Sequence, residues 1–297
     1  MRVFVTGASG WIGSAVVPEL IAHGHQVVGL ARSDEKAAAV AAAGAEVLRG
    51  DLDTLDVLAE GARTTDAVVH LAFVHDFGNF AESLRKDRAA IDTIGAALEG
   101  TGRPFAIASG TLGLTPGQVA TEQTNPDPAT AHPRQQSAAA ALALAGRGVK
   151  PIIVRLAPTV HGAGDHGFVA ELVRVARERK VAGYVGDGAN RWTAVHRDDA
   201  AALIRLAIEK AANEEAMAGR VVHAVAEEAV TAREIAEAIG RGLGIETAPA
   251  APEELGWIGP MFAADSPASN TITRETYGWN PTGPTLIEDL DAGHYFN

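Results

Sequence analysis

Residues 3–17 read VFVTGASGWIGSAVV: an apolar run, glycines at 7, 10 and 13, then small and apolar residues at helical spacing. Each glycine in such a strand–turn–helix has a physical task. Gly7 permits the tight turn, Gly10 lets backbone amides approach a pyrophosphate, and Gly13 lets the helix pack closely on the strand. The exposed amides and the positive end of the helix dipole then hold an anion. The stretch therefore predicts a dinucleotide cradle made by Thr6, Gly7, Ser9, Gly10, Trp11, Ile12 and Gly13; a glycine-rich structural turn is the alternative.

Working outward, apolar β-branched runs (RVFV, QVVGL, EVL, AVVHLA, FAIAS, IIVRLA) alternate with amphipathic or alanine-rich segments up to about residue 157. Near-continuous apolar runs separated by helices predict a parallel sheet covered on both faces, a doubly wound α/β layout. Gly24 and Gly44 mark helix stops suited to the left-handed conformation. Beyond residue 157 the alternation breaks into Gly-rich connections, and the end of the chain, rich in Pro, Trp and acidic residues, reads as a separate helical cap.

The end of the second strand sets cofactor choice, because a carboxylate there binds a ribose 2′-hydroxyl and a basic group a 2′-phosphate. The text is VVGLARSDEK, with Arg32 at the strand end, Ser33 beside it and Lys36 one turn on. This predicts NADP over NAD, since guanidinium pairs well with phosphate; a solvated surface arginine is the alternative. Asp51, with Leu52, follows the third strand, where its carboxylate either reaches an adenine amino group or caps a helix.

Composition removes several classes of function. The 297 residues contain no cysteine, which excludes disulfides, thiolate metal sites and a cysteine nucleophile. A formal net charge of −12 repels phosphate backbones, so nucleic acid is not an expected partner. No stretch approaches the roughly 20 apolar residues of a membrane span. The first residues enter a strand pattern directly, without the features of a secretion signal. A soluble, cytoplasmic protein with a small-molecule substrate is the expectation.

VTGASGWIG, GDL, HLA, IASGT, VRLAPTVHG, VGDGANRW, AVHRDDAA and YGWNPT, in this order across essentially the whole chain, resemble the extended short-chain dehydrogenases/reductases, the NAD-dependent epimerase/dehydratase-like group. The resemblance implies a Rossmann-like domain (1–157 plus about 192–225) and a smaller substrate-binding cap (about 158–191 plus 226–297), with a site between them. It places Leu71, Ala72 and Phe73 by the cofactor, and Pro158, Thr159, Val160 and His161 near the nicotinamide. It also allows a homodimer through helices flanking the active-site segment, where an alanine-rich helix permits close packing.

Members of this superfamily usually carry Tyr-x-x-x-Lys on the helix after the fifth strand. Here that helix is PRQQSAAAA, which puts Arg134 at the tyrosine position and Ala138 at the lysine position; Tyr184, Tyr277 and Tyr295 have no lysine four residues on. The chain thus reads as an atypical member. Ser109, with Thr111 as its neighbour, sits where the family's hydroxyl polarises a substrate carbonyl, or else satisfies the turn backbone. Arg134 stays protonated and cannot act as an acid, but it suits an oxyanion or a substrate carboxylate; an exposed first-turn arginine is the alternative. His166 and His75 are candidate proton donors, each weighed against a structural role. The pairs His70/His75 and His161/His166 lack metal-ligand spacing, so no metal is expected.

Asn190, Arg191 and Trp192 fall where extended members contact substrate, although Trp192 suits a core and Arg191 a carboxylate partner such as Asp187. His196 and Asp199 open a helix, and capping and domain packing are their first reading. Phe73, Phe77 and Phe168 suggest an apolar lining, better suited to a hydrophobic carbonyl or imine than to a nucleotide-sugar. Three functions follow: an NADPH-dependent reductase of a carbonyl or imine, a cofactor-retaining epimerase or dehydratase, and a non-catalytic NADP-binding regulator.

Overall fold

A computed structural model describes residues 1–74, 79–126 and 133–297. In chain order its elements are β1 (Arg2–Thr6), α1 (Gly13–Ala22), β2 (Gln26–Ala31), α2 (Asp34–Ala42), β3 (Glu46–Arg49), α3 (Leu55–Arg63), β4 (Ala67–His70), α4 (Phe80–Leu98), β5 (Pro104–Gly110), α5 (Pro133–Ala143), β6 (Lys150–Leu156), β7 (Thr159–His161), α6 (Phe168–Arg179), β8 (Val181–Val185), β9 (Arg191–His196), α7 (Arg197–Asn213), β10 (Arg220–Ala224), β11 (Glu227–Thr231), α8 (Ala232–Leu243), β12 (Glu246–Ala250), α9 (Gly259–Phe262), α10 (Thr271–Tyr277) and α11 (Leu286–Asp291). Among the described residues no helix is long and apolar enough to cross a membrane.

The chain divides into two compact units. The first comprises Met1–Ser109, Pro126–Arg155 and Ala201–Val222. Its seven-stranded parallel sheet has the order β10-β6-β5-β4-β1-β2-β3, a doubly wound Rossmann-like arrangement. After β3 the chain crosses back to lay β4 on the other side of β1. In open α/β sheets this reversal leaves a crevice beyond the carboxyl ends of the two strands, where ligands bind. The strands are apolar because both faces are covered: Phe4, Val68, Phe105 and Ile153 lie in one cluster with Leu58 of α3, Ile91 and Ile94 of α4 and Ala141 of α5. The helix stops fall where the glycines are, with Gly24 and Gly44 at φ +80° and +87°.

The second unit comprises Gly110–Asn125, Leu156–Ala200 and His223–Asn297. A three-stranded sheet β11-β9-β7 and a parallel pair β12-β8 surround a core built on Trp192, Phe262, Leu172 and Ile235. The Pro-, Trp- and acid-rich end of the chain carries the short helices α9, α10 and α11, and two strands precede it. Glu227–Thr231 and Glu246–Ala250 are strands because β9 and β8 offer them edges, and pairing overrides weak local propensity.

Candidate active site

The nucleotide loop is closed by its own backbone. The amide of Gly10 donates to the carbonyl of Gly7 (2.9 Å), and that of Ser14 donates to Gly10 (2.9 Å). Gly7 has φ +69°, and a Cβ there would stand 2.8 Å from the Ala72 nitrogen at the end of β4. At Gly13 a Cβ would be 2.0 Å from the Gly7 oxygen, so only glycine lets α1 start against the turn. Gly10 differs: it is exposed, and its added Cβ would meet only the Gly7 oxygen, at 3.1 Å. Apart from that oxygen no atom crowds Gly10, and α1 begins three residues on with no side chain capping its first amides. Such a cradle at the β1/β4 crevice fits a dinucleotide's pyrophosphate.

Thr6 is buried and braces this loop. Its hydroxyl accepts the Ala72 amide (3.2 Å) and lies 2.8 Å from His70 Nδ1, while His70 Nε2 is 3.5 Å from the Asp87 carboxylate. His70 and Asp87 are both buried, so an acidic residue of α4 lies beside the imidazole that meets the turn. Sequence reasoning missed Asp87. The available signal was a lone acid among the buried positions of α4, which run Ser83, Asp87, Ala90, Ile91, Ile94 and Leu98.

Arg32 is exposed after β2, and among the described residues it makes no hydrogen bond or ion pair. Its neighbour Ser33 caps α2, accepting the Lys36 amide, and Arg49 pairs with Asp34 alongside. Asp51 caps its own turn: Oδ1 accepts the amides of Asp53 (3.0 Å) and Thr54 (3.1 Å), and Leu52 is buried.

At the end of β5, Ser109 is buried (7% exposed) and its hydroxyl has no hydrogen-bond partner among the described residues. Arg134, on the first turn of α5, donates to the Ala108 carbonyl (3.0 Å) and lies over the Phe73 ring, 3.9 Å from its centre. Burial pushes its guanidinium below the usual value, partly offset by Asp87. Ala138 one turn on is buried. His75 and Phe77 lie outside the described residues.

In the second unit, Thr111 is committed to structure, 3.0 Å from the Thr193 hydroxyl and within reach of the Leu156 carbonyl. His161 is fully buried, its Nδ1 2.9 Å from Asp289 and its ring 5.6 Å from that of His196. Pro158 and Val160 flank Thr159, whose hydroxyl donates to the Thr193 carbonyl. Asp199, inside the first turn of α7, accepts the amides of Thr282 and Gly283 and so packs the C-terminal segment against that helix rather than capping it. His166 is exposed, on a loop held by Asp165, which accepts the Gly167 amide (2.6 Å) and the Tyr295 hydroxyl (2.9 Å). Burial raises the Asp165 carboxyl above its ordinary range.

Arg191 has a carboxylate partner, but it is Asp265 rather than Asp187. Nε and Nη2 donate to its two oxygens (2.9 and 2.7 Å), and the Arg191 amide adds a third bond (2.7 Å). Asp187 instead accepts the Ala189 amide. The path of the loop that follows α9, not sequence proximity, decides the pairing. Asn190 donates to the Phe262 carbonyl (2.6 Å). Trp192, 1% exposed, is core, packed edge-on against Phe262 (5.2 Å) and beside Phe168 (5.9 Å).

The profile of the NAD dependent epimerase/dehydratase family matches residues 3–222. The chain belongs to that family. It is 44% identical over 302 residues to an uncharacterized protein of Schizosaccharomyces pombe, covering 100% of both chains. It is 28% identical over 230 residues to 2-alkyl-3-oxoalkanoate reductase of Stenotrophomonas maltophilia, covering 74% of this chain and 69% of that one. Among solved structures, MoeE5 in complex with UDP-glucose and NAD shares the fold, with TM-score 0.75, 23% identity, and coverage of 99% and 97%. NAD(P) binding is supported by the family and by the glycine cradle.

Proposed function

We propose that the protein is an NADPH-dependent reductase acting on a small or medium carbonyl compound. The observation that carries this reading is Arg134 on the Ala108 carbonyl, one residue before the unpartnered Ser109 hydroxyl. When bound, the coenzyme supplies a hydride. Ser109 polarises the carbonyl, and Arg134 stabilises the negative charge that develops on its oxygen, a role for which a permanent cation is suited and a proton donor is not required. The same positive charge disfavours an iminium, so of the carbonyl and imine branches the first is supported better. The proton that completes the alcohol comes from solvent water. A cofactor-retaining epimerase needs a base to start its oxidation, and neither Arg134 nor Ala138 supplies one.

NADP over NAD rests on Arg32, exposed and uncommitted where a 2′-phosphate would lie, with no carboxylate beside it at the strand end. Thr6, Gly7, Gly10 and Gly13 would hold the pyrophosphate. The test is NADPH oxidation across ketones and aldehydes, with calorimetry of NADP and NAD binding. Turnover with NADPH supports the reading; tight NADP binding without turnover of any member supports the non-catalytic regulator instead.

A further inference from the structure

The second unit holds most of the molecule's negative charge. Its three segments carry nine Lys and Arg against nineteen Asp and Glu, a formal balance of −10 out of the chain's −12. Forked guanidinium donors are how proteins recognise diphosphates and carboxylates, so the commitments of these arginines decide which charged substrates the unit can take. Arg174, Arg179, Arg191, Arg197 and Arg241 are paired with carboxylates. Arg177, Arg233 and Arg274 donate to carbonyl oxygens. Among the described residues of the unit only Lys180, exposed at the end of α6, has no protein partner.

Arg191 is the informative case, because it lies in the stretch expected to meet substrate. Asp265 takes its forked donors and its backbone amide together, while Asn190 spends its amide on the Phe262 carbonyl. Elsewhere in the unit Trp257 is an exposed aromatic, 46% exposed, its ring 5.9 Å from that of Phe168.

Resting on the reductase reading above, we propose that Asp265 is a specificity-determining residue: it cancels Arg191 and closes this unit to phosphate- and carboxylate-bearing substrates, leaving uncharged apolar carbonyl compounds. The protein would then differ in substrate class from a fold neighbour such as MoeE5, whose structure contains UDP-glucose.

The test is calorimetric titration of the full chain, saturated with NADP, using UDP-glucose and inorganic pyrophosphate as probes. The wild type shows no saturable binding of either at millimolar concentration. Asp265→Asn keeps an acceptor for the Arg191 amide but removes the charge, and gains about tenfold or more in affinity for pyrophosphate, the range expected of one charge-assisted pair; Arg191→Gln in that background loses the gain. Saturable binding of either probe to the wild type overturns the proposal. So does equal pyrophosphate binding by Asp265→Asn and the double variant when both melt like the wild type. Should Asp265→Asn not fold, the wild-type titration still decides. If no ketone or aldehyde is reduced while the probes behave as stated, the reductase reading fails and this inference stands.

Discussion

The guanidinium carbon of Arg134 lies 3.9 Å from the centre of the Phe73 ring, so a cation on α5 is fixed to the segment leaving β4. Ring, Ala108 carbonyl and burial together hold the charge in one place, as a stabiliser of developing negative charge requires. Arg134→Ala is expected to lower kcat by about 10²–10³, the usual effect of deleting one such donor. Arg134→Lys should recover little, since an ammonium cannot reproduce the planar stack. Steady-state kinetics check this, and unchanged turnover in both Arg134→Ala and Ser109→Ala removes the site assignment.

Gly10 and Gly13 separate binding from folding. Gly13→Ala places a methyl 2.0 Å from the Gly7 oxygen and should destabilise by roughly 1–3 kcal/mol through overpacking. Gly10→Ala meets only the Gly7 oxygen, at 3.1 Å, and should lower the melting temperature far less than Gly13→Ala while weakening NADP by about tenfold or more. Calorimetry together with thermal melts tests the contrast; equal NADP affinity in Gly10→Ala and the wild type argues against a pyrophosphate in front of this loop.

Arg32→Ala should reduce NADP affinity by roughly 1.5–3 kcal/mol, the range for hydrogen bonds to charged groups, and change NAD affinity little. Parallel loss of both coenzymes would show that Arg32 does not discriminate by the 2′-phosphate.

Asp165 gives a pH signature. Burial raises its folded carboxyl above the unfolded value, so the associated stability is present at acid pH and is lost as pH climbs through the raised pKa. Asp165→Asn cannot ionise. The melting temperature of the variant minus that of the wild type should therefore grow between pH 4 and pH 8. A constant difference would show that the wild-type carboxyl titrates alike in both states.

Much of the first unit was legible in residue order because its signals are local. Gly7, Gly10 and Gly13 encode a turn, Gly24 and Gly44 encode helix ends, and apolar runs of β-branched residues encode strands buried on both faces. Asp51 carried two compatible readings, an adenine contact and a helix N-cap; its carboxylate closes the turn before α3, whose N-cap is Thr54. What escaped was the partner choice of polar groups far apart in the chain: Asp265 for Arg191, Asp289 for His161, Thr193 for Thr111. Those pairings depend on where loops return after packing, and no spacing rule expresses that. Trp192 shows the converse, since a bulky aromatic in a strand reads equally as ligand contact or filler until its neighbours are known.

The first unit draws on three separated stretches, the last ending at Val222, and β10 at the sheet edge lies beside β6, every residue of which is buried. A nascent chain leaving the ribosome therefore cannot finish its coenzyme-binding half until about three-quarters of the polypeptide has emerged. Until then β6 is a bare apolar edge, prone to pair with another chain. Expression fragments cut near residue 157 should precipitate, and successful dissection of this fold would have to rejoin the distant stretches by circular permutation.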